Sequence, residues 1–278
     1  TSVLSQSGAE FLPQRDLVHL VAERKDLTVE DKDIKTVRCK AERFEQSRKP
    51  GTIYDYDVRA CNIWTAAFFA ELTRNKESVG EIPTNVTLQS ALSRRSGEIT
   101  ESQDPIEYAQ ELAEIIRFFH WPIEYPEVFS KGGFDCVIGN PPWKKPKLQQ
   151  KVFFQIFDPI IATTKKKSDR DKLISKLPEN NPELFLKYQR ALHNSESISL
   201  FLRESQVYPL AGRGDVNYYA VFSELCRKII NNCGRSGIIL PIGIATDDTT
   251  KFFFQDIILK KSLVSLIGLT ILNDKRFY

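Results

Sequence analysis

The chain has 278 residues, of which 41% are hydrophobic and 27% charged, and its formal net charge is +3. This composition is typical of a folded globular protein and argues against a disordered one. No apolar run approaches the ~18–20 residues that a membrane-spanning helix needs, and no signal-peptide pattern opens the chain. The small net charge neither implies nor excludes a nucleic-acid partner.

Cysteine usage indicates a reducing compartment. The five cysteines are Cys39, Cys61, Cys136, Cys226 and Cys233, and no pair has the Cys-x-x-Cys spacing of a zinc or redox site. An odd number of scattered cysteines favours reduced thiols in a cytoplasmic protein over a disulfide framework. Because the three histidines are also far apart in sequence, we expect no metal centre.

The sequence contains no methionine and begins with Thr1. A native chain of this length would start with methionine and contain several more. We therefore expect a fragment of a longer protein, or a sequence from which methionines and loops have been omitted.

The amino-terminal region is predicted to be mostly helical. Residues 1–50 are polar and indicate short helices and linkers. An amphipathic helix is predicted over Asp57 to Arg74, because Ile63, Ala66, Ala67 and Ala70 are spaced at three and four. The polar stretch 75–103 is predicted to be a surface loop. Asp104-Pro105 then starts a helix that runs to about Phe119.

From residue 132 onward the pattern alternates between strand and helix. Gly132-Gly133 is followed by Phe134 to Ile138, a short apolar run that indicates a buried parallel strand. Residues 144–200 are predicted to be helical and polar, with the anchors Leu173, Leu177, Leu184 and Leu186.

Later elements continue this alternation. Tyr218 to Ile230 is predicted to be an amphipathic helix that ends near Gly234 and buries Val221, Phe222, Leu225 and Ile229. Further strands are expected at Gly237 to Leu240 and Leu263 to Leu272, with a helix between them that Thr246-Asp247 caps and that runs through Ile258. Alternating strands and helices predict an α/β fold with a doubly wound, Rossmann-like sheet.

The motif Asn140-Pro141-Pro142-Trp143 follows the first predicted strand, where open α/β sheets bind their ligands. An exocyclic base amine is a poor nucleophile, because its lone pair is delocalised into the ring. The Asn140 side-chain oxygen and the Pro141 carbonyl can accept its two hydrogens and favour a pyramidal nitrogen. Trp143 offers a face for an extruded base. The alternative is a turn without chemistry, since Asn-Pro dipeptides mark turns.

The segment Phe134–Trp143 resembles motif IV of the adenine-specific, amino-directed DNA methyltransferases. The wider sequence is similar to their Eco57I-like branch, which includes restriction–modification enzymes. The similarity covers roughly residues 110–268, and more loosely Trp64–Phe69. It is carried by Phe118–Phe129, Tyr208–Tyr218 and Ser236–Thr250 in addition to the motif.

The resemblance implies S-adenosylmethionine as methyl donor and a flipped adenine in double-stranded DNA as target. Asn140 and Pro141 would then hold the amine, Trp143 would stack on the base, and Pro142 would lie against the cofactor. Gly212, Gly214 and Asn217 match a family segment expected to shape the wall of the site, although a glycine loop that caps the next helix explains them equally well. A restriction nuclease domain or subunit is the further partner that the family implies.

One feature of the family is missing. Methyltransferases need a glycine-rich loop near the donor, followed by an acidic residue, and residues 1–131 contain only four isolated glycines. We therefore interpret residues 1–118 as a mostly helical insertion region and 119–278 as the carboxyl-terminal half of the catalytic domain. The chain alone is expected to bind the donor poorly.

Other interpretations remain open. The lysines after the motif, Lys144, Lys145, Lys147 and Lys151, fit a solvated helix face slightly better than phosphate contacts. Asn-Pro-Pro-aromatic motifs also serve methyltransferases of ribosomal RNA and of a protein glutamine amide, although those enzymes usually lack a long helical insertion. A module that kept the fold and binds DNA or a partner without catalysis is the third alternative.

Overall fold

The computed structural model of the chain describes residues 17–31, 33–71, 82–93 and 104–268. Its two strands are β1, Phe134–Gly139, and β2, Ile230–Ile238. The α-helices span Val18–Arg24, Ile34–Ser47, Ile53–Ala66, Asn85–Ser93, Asp104–Ile116, Trp121–Glu124, Pro126–Phe129, Gln150–Phe157, Pro159–Thr163, Lys167–Ser175, Leu177–Asn180, Pro182–Glu204, Tyr218–Ile229, Gly243–Thr246 and Lys251–Leu259, and short 3-10 turns span Lys25–Thr28 and Asp248–Thr250. Within the described ranges, no helix is long and apolar enough to cross a membrane.

The first large core lies in the amino-terminal helical region. Trp64 is 1% exposed and packs edge-on against Phe68 and Phe201. The helix that carries it begins at Ile53, where the Thr52 side chain accepts from the Asp55 amide. It ends at Ala66, earlier than the predicted end at Arg74, which lies outside the described residues. Ile63 and Ala66 are buried as predicted, but Ala67 is only partly buried and Ala70 lies beyond the helix end. Residues 60–66 are all buried, so the helix is covered on every side there and the predicted single apolar face is wrong.

Residues 85–93 contradict the prediction of a surface loop over 75–103. The helix Asn85–Ser93 occupies this stretch. The Thr84 hydroxyl accepts from the Thr87 amide, and Leu88 and Ala91 are buried in the core around Trp64. The sequence predicted a loop here because a threonine cap and two apolar residues are a weak helix signal within a polar stretch. Residues 72–81 and 94–103 lie outside the described residues.

The predicted helix from Asp104 is confirmed, and it ends at Ile116. Arg117 adopts a left-handed backbone with φ of 63°, which stops the helix. Ala109 is buried, but Phe119 is 53% exposed and lies beyond the end of the helix, which the sequence had extended to about this residue.

The helix Pro182–Glu204 connects the cores. Leu184 and Tyr188, near its start, pack with Phe154 and Ile174 in a second core. Leu202, near its end, belongs to a third core with the helix Tyr218–Ile229. Two of the predicted leucine anchors, Leu177 and Leu184, are buried, and Leu173 packs against the same core. Leu186 is 48% exposed and is not an anchor.

The strands β1 and β2 pair in parallel, so the predicted direction of the first strand is confirmed. The register is regular from Cys136 opposite Arg235 to Gly139 opposite Ile238. It is irregular before Cys136, because residues between Ile230 and Arg235 have no partner across the pair. The second strand therefore starts at Ile230, directly after its helix, and not at Gly237 as predicted.

Three strand and helix predictions need correction. β1 is not buried, since Ile138 is 83% exposed, because no described element covers that side of the strand. Residues 263–268 form no strand, because they make no ladder with a neighbour, while 269–272 lie outside the described residues. In the predicted helix after Asp247, residues 248–250 form a 3-10 turn and the α-helix starts at Lys251.

The helix Tyr218–Ile229 starts where the sequence predicted and has part of the predicted buried face, but it ends at Ile229, and Gly234 lies in β2. Val221 and Ile229 are buried, as predicted. Phe222 is 38% exposed and Leu225 is half-buried, so the apolar face is narrower than the sequence indicated. The α/β class is confirmed. A doubly wound sheet is not shown, because the described part of the chain has only two strands.

Gly133 sets the path into β1. Its φ is 120°, and a side-chain β-carbon there would lie 2.5 Å from the Ile229 carbonyl oxygen. Gly237 in β2 is a matched contrast, since a β-carbon there would meet no atom within 4 Å. We predict that Gly133→Ala lowers the free energy of unfolding by at least about 1–3 kcal/mol, the usual cost of a strained backbone.

Urea denaturation of the two alanine variants checks this expectation. Gly237→Ala should stay within about 0.5 kcal/mol of the parent protein, as surface substitutions usually do. Equal stabilities for the two variants would show that the close approach of Gly133 to Ile229 does not constrain β1.

Candidate active-site loop

The motif Asn140–Trp143 forms a loop at the carboxyl end of β1. The Ile239 amide donates to the Gly139 carbonyl at 3.0 Å, so the parallel pairing continues to the residue before Asn140. Asn140 and Pro142 are exposed, Pro141 is buried, and Trp143 is 54% exposed. The buried proline fixes the loop, while the two side chains with hydrogen-bonding or stacking capacity face solvent.

The end of this loop is attached to the helix Tyr218–Ile229. The Tyr218 amide, in the first turn of that helix, donates to the Lys144 carbonyl at 3.0 Å. Lys145 forms an ion pair with Asp215. The hydrogen bond from Lys145 holds the pKa of the Asp215 carboxyl below its usual value, so this carboxylate is ionised at neutral pH. The loop and the segment before the helix are therefore joined at two points.

A second attachment binds the chain to the long helix Pro182–Glu204. The buried Pro146 accepts hydrogen bonds at its carbonyl from the Ser199 hydroxyl at 2.7 Å and the Ser195 hydroxyl at 3.2 Å. The Ser195 oxygen in turn accepts from the Leu148 amide at 2.8 Å. The two serines are one helical turn apart, so they present their hydroxyls on the same side of the helix.

The glycines of the 208–217 segment have a structural explanation. At Gly212 a β-carbon would lie 2.1 Å from the Leu202 carbonyl oxygen, so only glycine fits. Gly214 has φ of 63°, a left-handed backbone that glycine adopts without strain. Asn217 is 8% exposed and occupies the cap position of the following helix without a side-chain capping bond.

The buried Glu224 carboxylate holds this segment by its backbone amides, and the sequence did not identify this residue. Its side chain is 2% exposed and accepts from the Ala211 amide at 2.7 Å and the Leu210 amide at 3.3 Å. A glutamate among the core-facing positions Ala220 and Val221 was the available signal, since buried carboxylates need partners. Glu224 thereby fixes the turn that precedes Asp215.

The predicted site residues therefore lie in two neighbouring segments that are joined to each other. Residues 140–143 lie on one loop, and 212–217 lie beside its end through Lys144 and Lys145. The loop contains no acid or base between Asn140 and Trp143. Its own chemical capacity is to accept hydrogen bonds and to stack, which corresponds to orientation of a substrate and not to proton transfer.

The four lysines after the motif do not form one helix face, contrary to the preferred interpretation of the sequence. The helix begins only at Gln150, so Lys144, Lys145 and Lys147 lie in the preceding loop. Lys145, Lys147 and Lys151 line a cleft of about 770 Å³ together with the long helix.

The described residues do not fit a complete site for a methyl donor. Ile138, Asn140 and Pro142 are exposed, and no described element encloses them. Neither the lysine-lined cleft nor a second cleft, of about 360 Å³ beside β2, is lined by residues 140–143. Among the described residues, no group of three histidine, cysteine, aspartate or glutamate side chains could hold a metal ion.

The sequence comparisons give one match. The family model described as Eco57I restriction-modification methylase matches residues 52–176. The chain carries an Eco57I-like methylase segment. The matched range contains β1, the motif loop and the first helices after it, and the resemblance to the Eco57I-like branch is confirmed over residues 52–176. The family supports a DNA methyltransferase of a restriction–modification system.

The stretches Tyr208–Tyr218 and Ser236–Thr250 lie beyond the matched range. Comparison with curated proteins and with solved structures gave no match.

The serine attachment of Pro146 gives a testable expectation. Replacing Ser195 and Ser199 together by alanine removes both donors to the buried carbonyl and the acceptor of the Leu148 amide. Each lost hydrogen bond costs about 0.5–1.5 kcal/mol, so we predict that losing these three lowers the free energy of unfolding by roughly 1.5–4.5 kcal/mol. The Leu148 amide should exchange with deuterium faster than in the parent protein.

Ser175→Ala is the control, since its hydroxyl donates to the Lys172 carbonyl at an exposed helix end. It should change the free energy of unfolding by less than about 0.5 kcal/mol. Unchanged exchange at Leu148 in the double variant would show that the serines do not hold the loop.

Proposed function

We propose that the protein transfers a methyl group from S-adenosylmethionine to the exocyclic amine of adenine in a specific double-stranded DNA site. The observation that carries this proposal is the placement of Asn140-Pro141-Pro142-Trp143. The motif lies at the carboxyl end of a parallel strand, with Asn140 and Trp143 exposed and Pro141 buried. It also lies inside the segment that matches the methylase family.

Two acceptors would orient the amine. The Asn140 side-chain oxygen would accept one amine hydrogen and the Pro141 carbonyl oxygen the other. An amine held in this way has its lone pair directed out of the base plane, towards an electrophile. Because proline has a fixed φ and no amide hydrogen, the acceptors need little reorganisation. Positioning of this kind supplies a large share of the rate in many enzymes.

Trp143 would stack on the target base after its extrusion from the duplex. Enzymes that act on a base within duplex DNA take it out of the helix and read it in a pocket. A tryptophan that is 54% exposed has free ring surface for this contact. Stacking of this kind contributes roughly 1–3 kcal/mol per base.

The donor supplies an electrophilic methyl group, and Pro142 is the one residue that we assign to its contact surface. No further step is assigned to the donor, since the described residues form no complete cradle for it. We place β1 and β2 in a doubly wound sheet, with residues 1–118 as a helical insertion and 119–278 as the later half of the catalytic domain. A restriction nuclease domain or subunit is the partner that fits this assignment.

A non-catalytic DNA-binding module is the second candidate. The exposed surroundings of Asn140 and Pro142 favour it, because a methyltransferase has to enclose its donor. A methylation assay separates the two candidates.

Asn140→Ala is the decisive variant for the enzyme. We predict that it abolishes methylation of genomic DNA by the full-length protein, because one of the two amine acceptors is lost. The fold should be preserved, since Asn140 is exposed. Incorporation of labelled methyl groups measures the rate, and mass spectrometry of the digested DNA identifies the methylated base.

Asn180→Ala is the matched control, because Asn180 is exposed at the end of the helix Leu177–Asn180, which contributes no residue to the motif loop. It should methylate at the parent rate. Undiminished methylation by Asn140→Ala would refute the role of Asn140, while N4-methylcytosine in the digest would refute adenine as the target. A full-length protein that binds DNA but never methylates it would favour the module.

Trp143 tests the stacking role separately. Trp143→Ala should lower kcat/KM by roughly 5- to 150-fold, the equivalent of 1–3 kcal/mol of stacking. Trp143→Phe keeps an aromatic face and should recover most of this loss. Equal activities for the alanine and phenylalanine variants would exclude stacking as the function of this side chain.

A further inference from the structure

A cleft of about 770 Å³ opens beside the motif loop, and it has no assigned role. Its wall begins at Lys145, two residues after Trp143, which is at most about 7 Å along the chain. It is formed by the loop before Gln150, the start of the helix Gln150–Phe157, the helix Lys167–Ser175 and one face of the helix Pro182–Glu204.

The cleft is basic. Six of its lining side chains are basic: Lys145, Lys147, Lys151, Lys167, Arg170 and Arg203. Three are acidic: Glu196, Glu204 and Asp215. The excess of three positive groups equals the formal net charge of the whole chain, +3. A nearly neutral protein therefore has its positive excess gathered in one concave surface, which focuses the field there.

Several of these charges are available to a ligand. Within the described ranges, Lys147, Lys151 and Lys167 form no ion pair, and all three are exposed. Asp215 is already compensated by Lys145. Three acidic groups against six basic ones leave half of the positive charge of the cleft without a formal counter-charge.

Arg170 makes the floor of the cleft rigid. The residue is 8% exposed, its Nε donates to the Gln150 side-chain oxygen at 2.9 Å, and Nη1 donates to the Thr164 carbonyl at 3.2 Å. Gln150 also donates to the Tyr188 hydroxyl at 3.2 Å. Among the described residues, the hydrogen-bond acceptors of this guanidinium are neutral, while Gln150 also donates to the exposed Asp171 carboxylate at 3.1 Å. Water screens the positive potential of a buried guanidinium only weakly.

We infer that this cleft binds the sugar-phosphate backbone of nucleic acid beside the base that the motif loop holds. The inference rests on the proposed function for the identity of the nucleic acid as DNA. Phosphodiester oxygens are acceptors of full negative charge, and mobile lysines bind them as point charges. An acidic protein segment is the competing ligand, because its carboxylates would bind the same lysines.

Charge neutralisation in the cleft tests the inference. The double variant Lys147→Gln, Lys151→Gln keeps most of both side chains and removes two charges. Binding of a fluorescent duplex of random sequence is measured over a series of salt concentrations. Each lost phosphate contact lowers the slope of log K against log salt concentration by about 0.9. We therefore expect a slope smaller by about 1.8 and roughly tenfold or more weaker binding near 0.1 M salt.

The control Lys35→Gln, Lys49→Gln removes the same charge from exposed sites outside the cleft. It should leave affinity and slope within error of the parent protein. Asp215→Asn acts in the opposite direction, because it removes an acid and releases Lys145, and it should tighten binding. Equal slopes for the cleft and control variants, or no binding of the parent chain to duplex DNA, would overturn the inference.

Two further results separate this inference from the proposed function. Intact methylation with an unchanged salt slope in the cleft variant would contradict DNA binding in the cleft and support the proposed methyltransferase activity. A reduced salt slope in a protein that never methylates DNA would support DNA binding in the cleft and contradict the proposed methyltransferase activity. A polyglutamate peptide that binds more tightly than DNA of equal charge would overturn the assignment to nucleic acid.

Discussion

The parallel pairing of β1 with β2 is the constraint on which the candidate site depends. It runs in register from Cys136 to Gly139, and the Ile239 amide extends it to the last carbonyl before Asn140. The loop therefore leaves the sheet at a fixed point and in a fixed direction. A one-residue slip of this register would turn Asn140 to the opposite face of the strand, so the pairing decides where the acceptor points.

The rest of the loop is held by groups that belong to two separate helices. Tyr218 holds the Lys144 carbonyl, while Ser195 and Ser199 hold that of Pro146. Between β1 and these anchors, two prolines limit the backbone further. If the loop aligns two acceptors with one amine, as we propose, this stiffness favours the reaction, because misalignment of about 1 Å can cost two orders of magnitude in rate.

The sequence predicted the elements that have a strong local signal. A short apolar run after a glycine pair predicted β1, and the cap and proline at Asp104-Pro105 predicted the helix that starts there. The motif loop was predicted together with its strand, because its residue types are distinctive by themselves. Its geometry at the end of a parallel strand agrees with that prediction.

What the sequence did not predict depends on distant contacts. The serines that hold Pro146 are 49 and 53 residues away along the chain, and a serine in a helix gives no sign of its partner. Glu224 interrupts an apolar helix face for a reason that only the folded 208–212 turn explains. The same limit applies to burial, since the β-branched composition of β1 indicated a covered strand whereas Ile138 is exposed.

The distribution of charge shows how a chain of small net charge can attract a polyanion. A net charge of +3 spread over the surface would be screened within about one Debye length, roughly 8–10 Å at ordinary salt. The same excess placed in one concave wall, above the buried guanidinium of Arg170, acts over a short distance where screening is weak. Lysines that are scattered in sequence between 145 and 167 reach this wall because three helices fold against one another. Net charge alone therefore does not reveal the positive cleft, which the folded arrangement of the lysines creates.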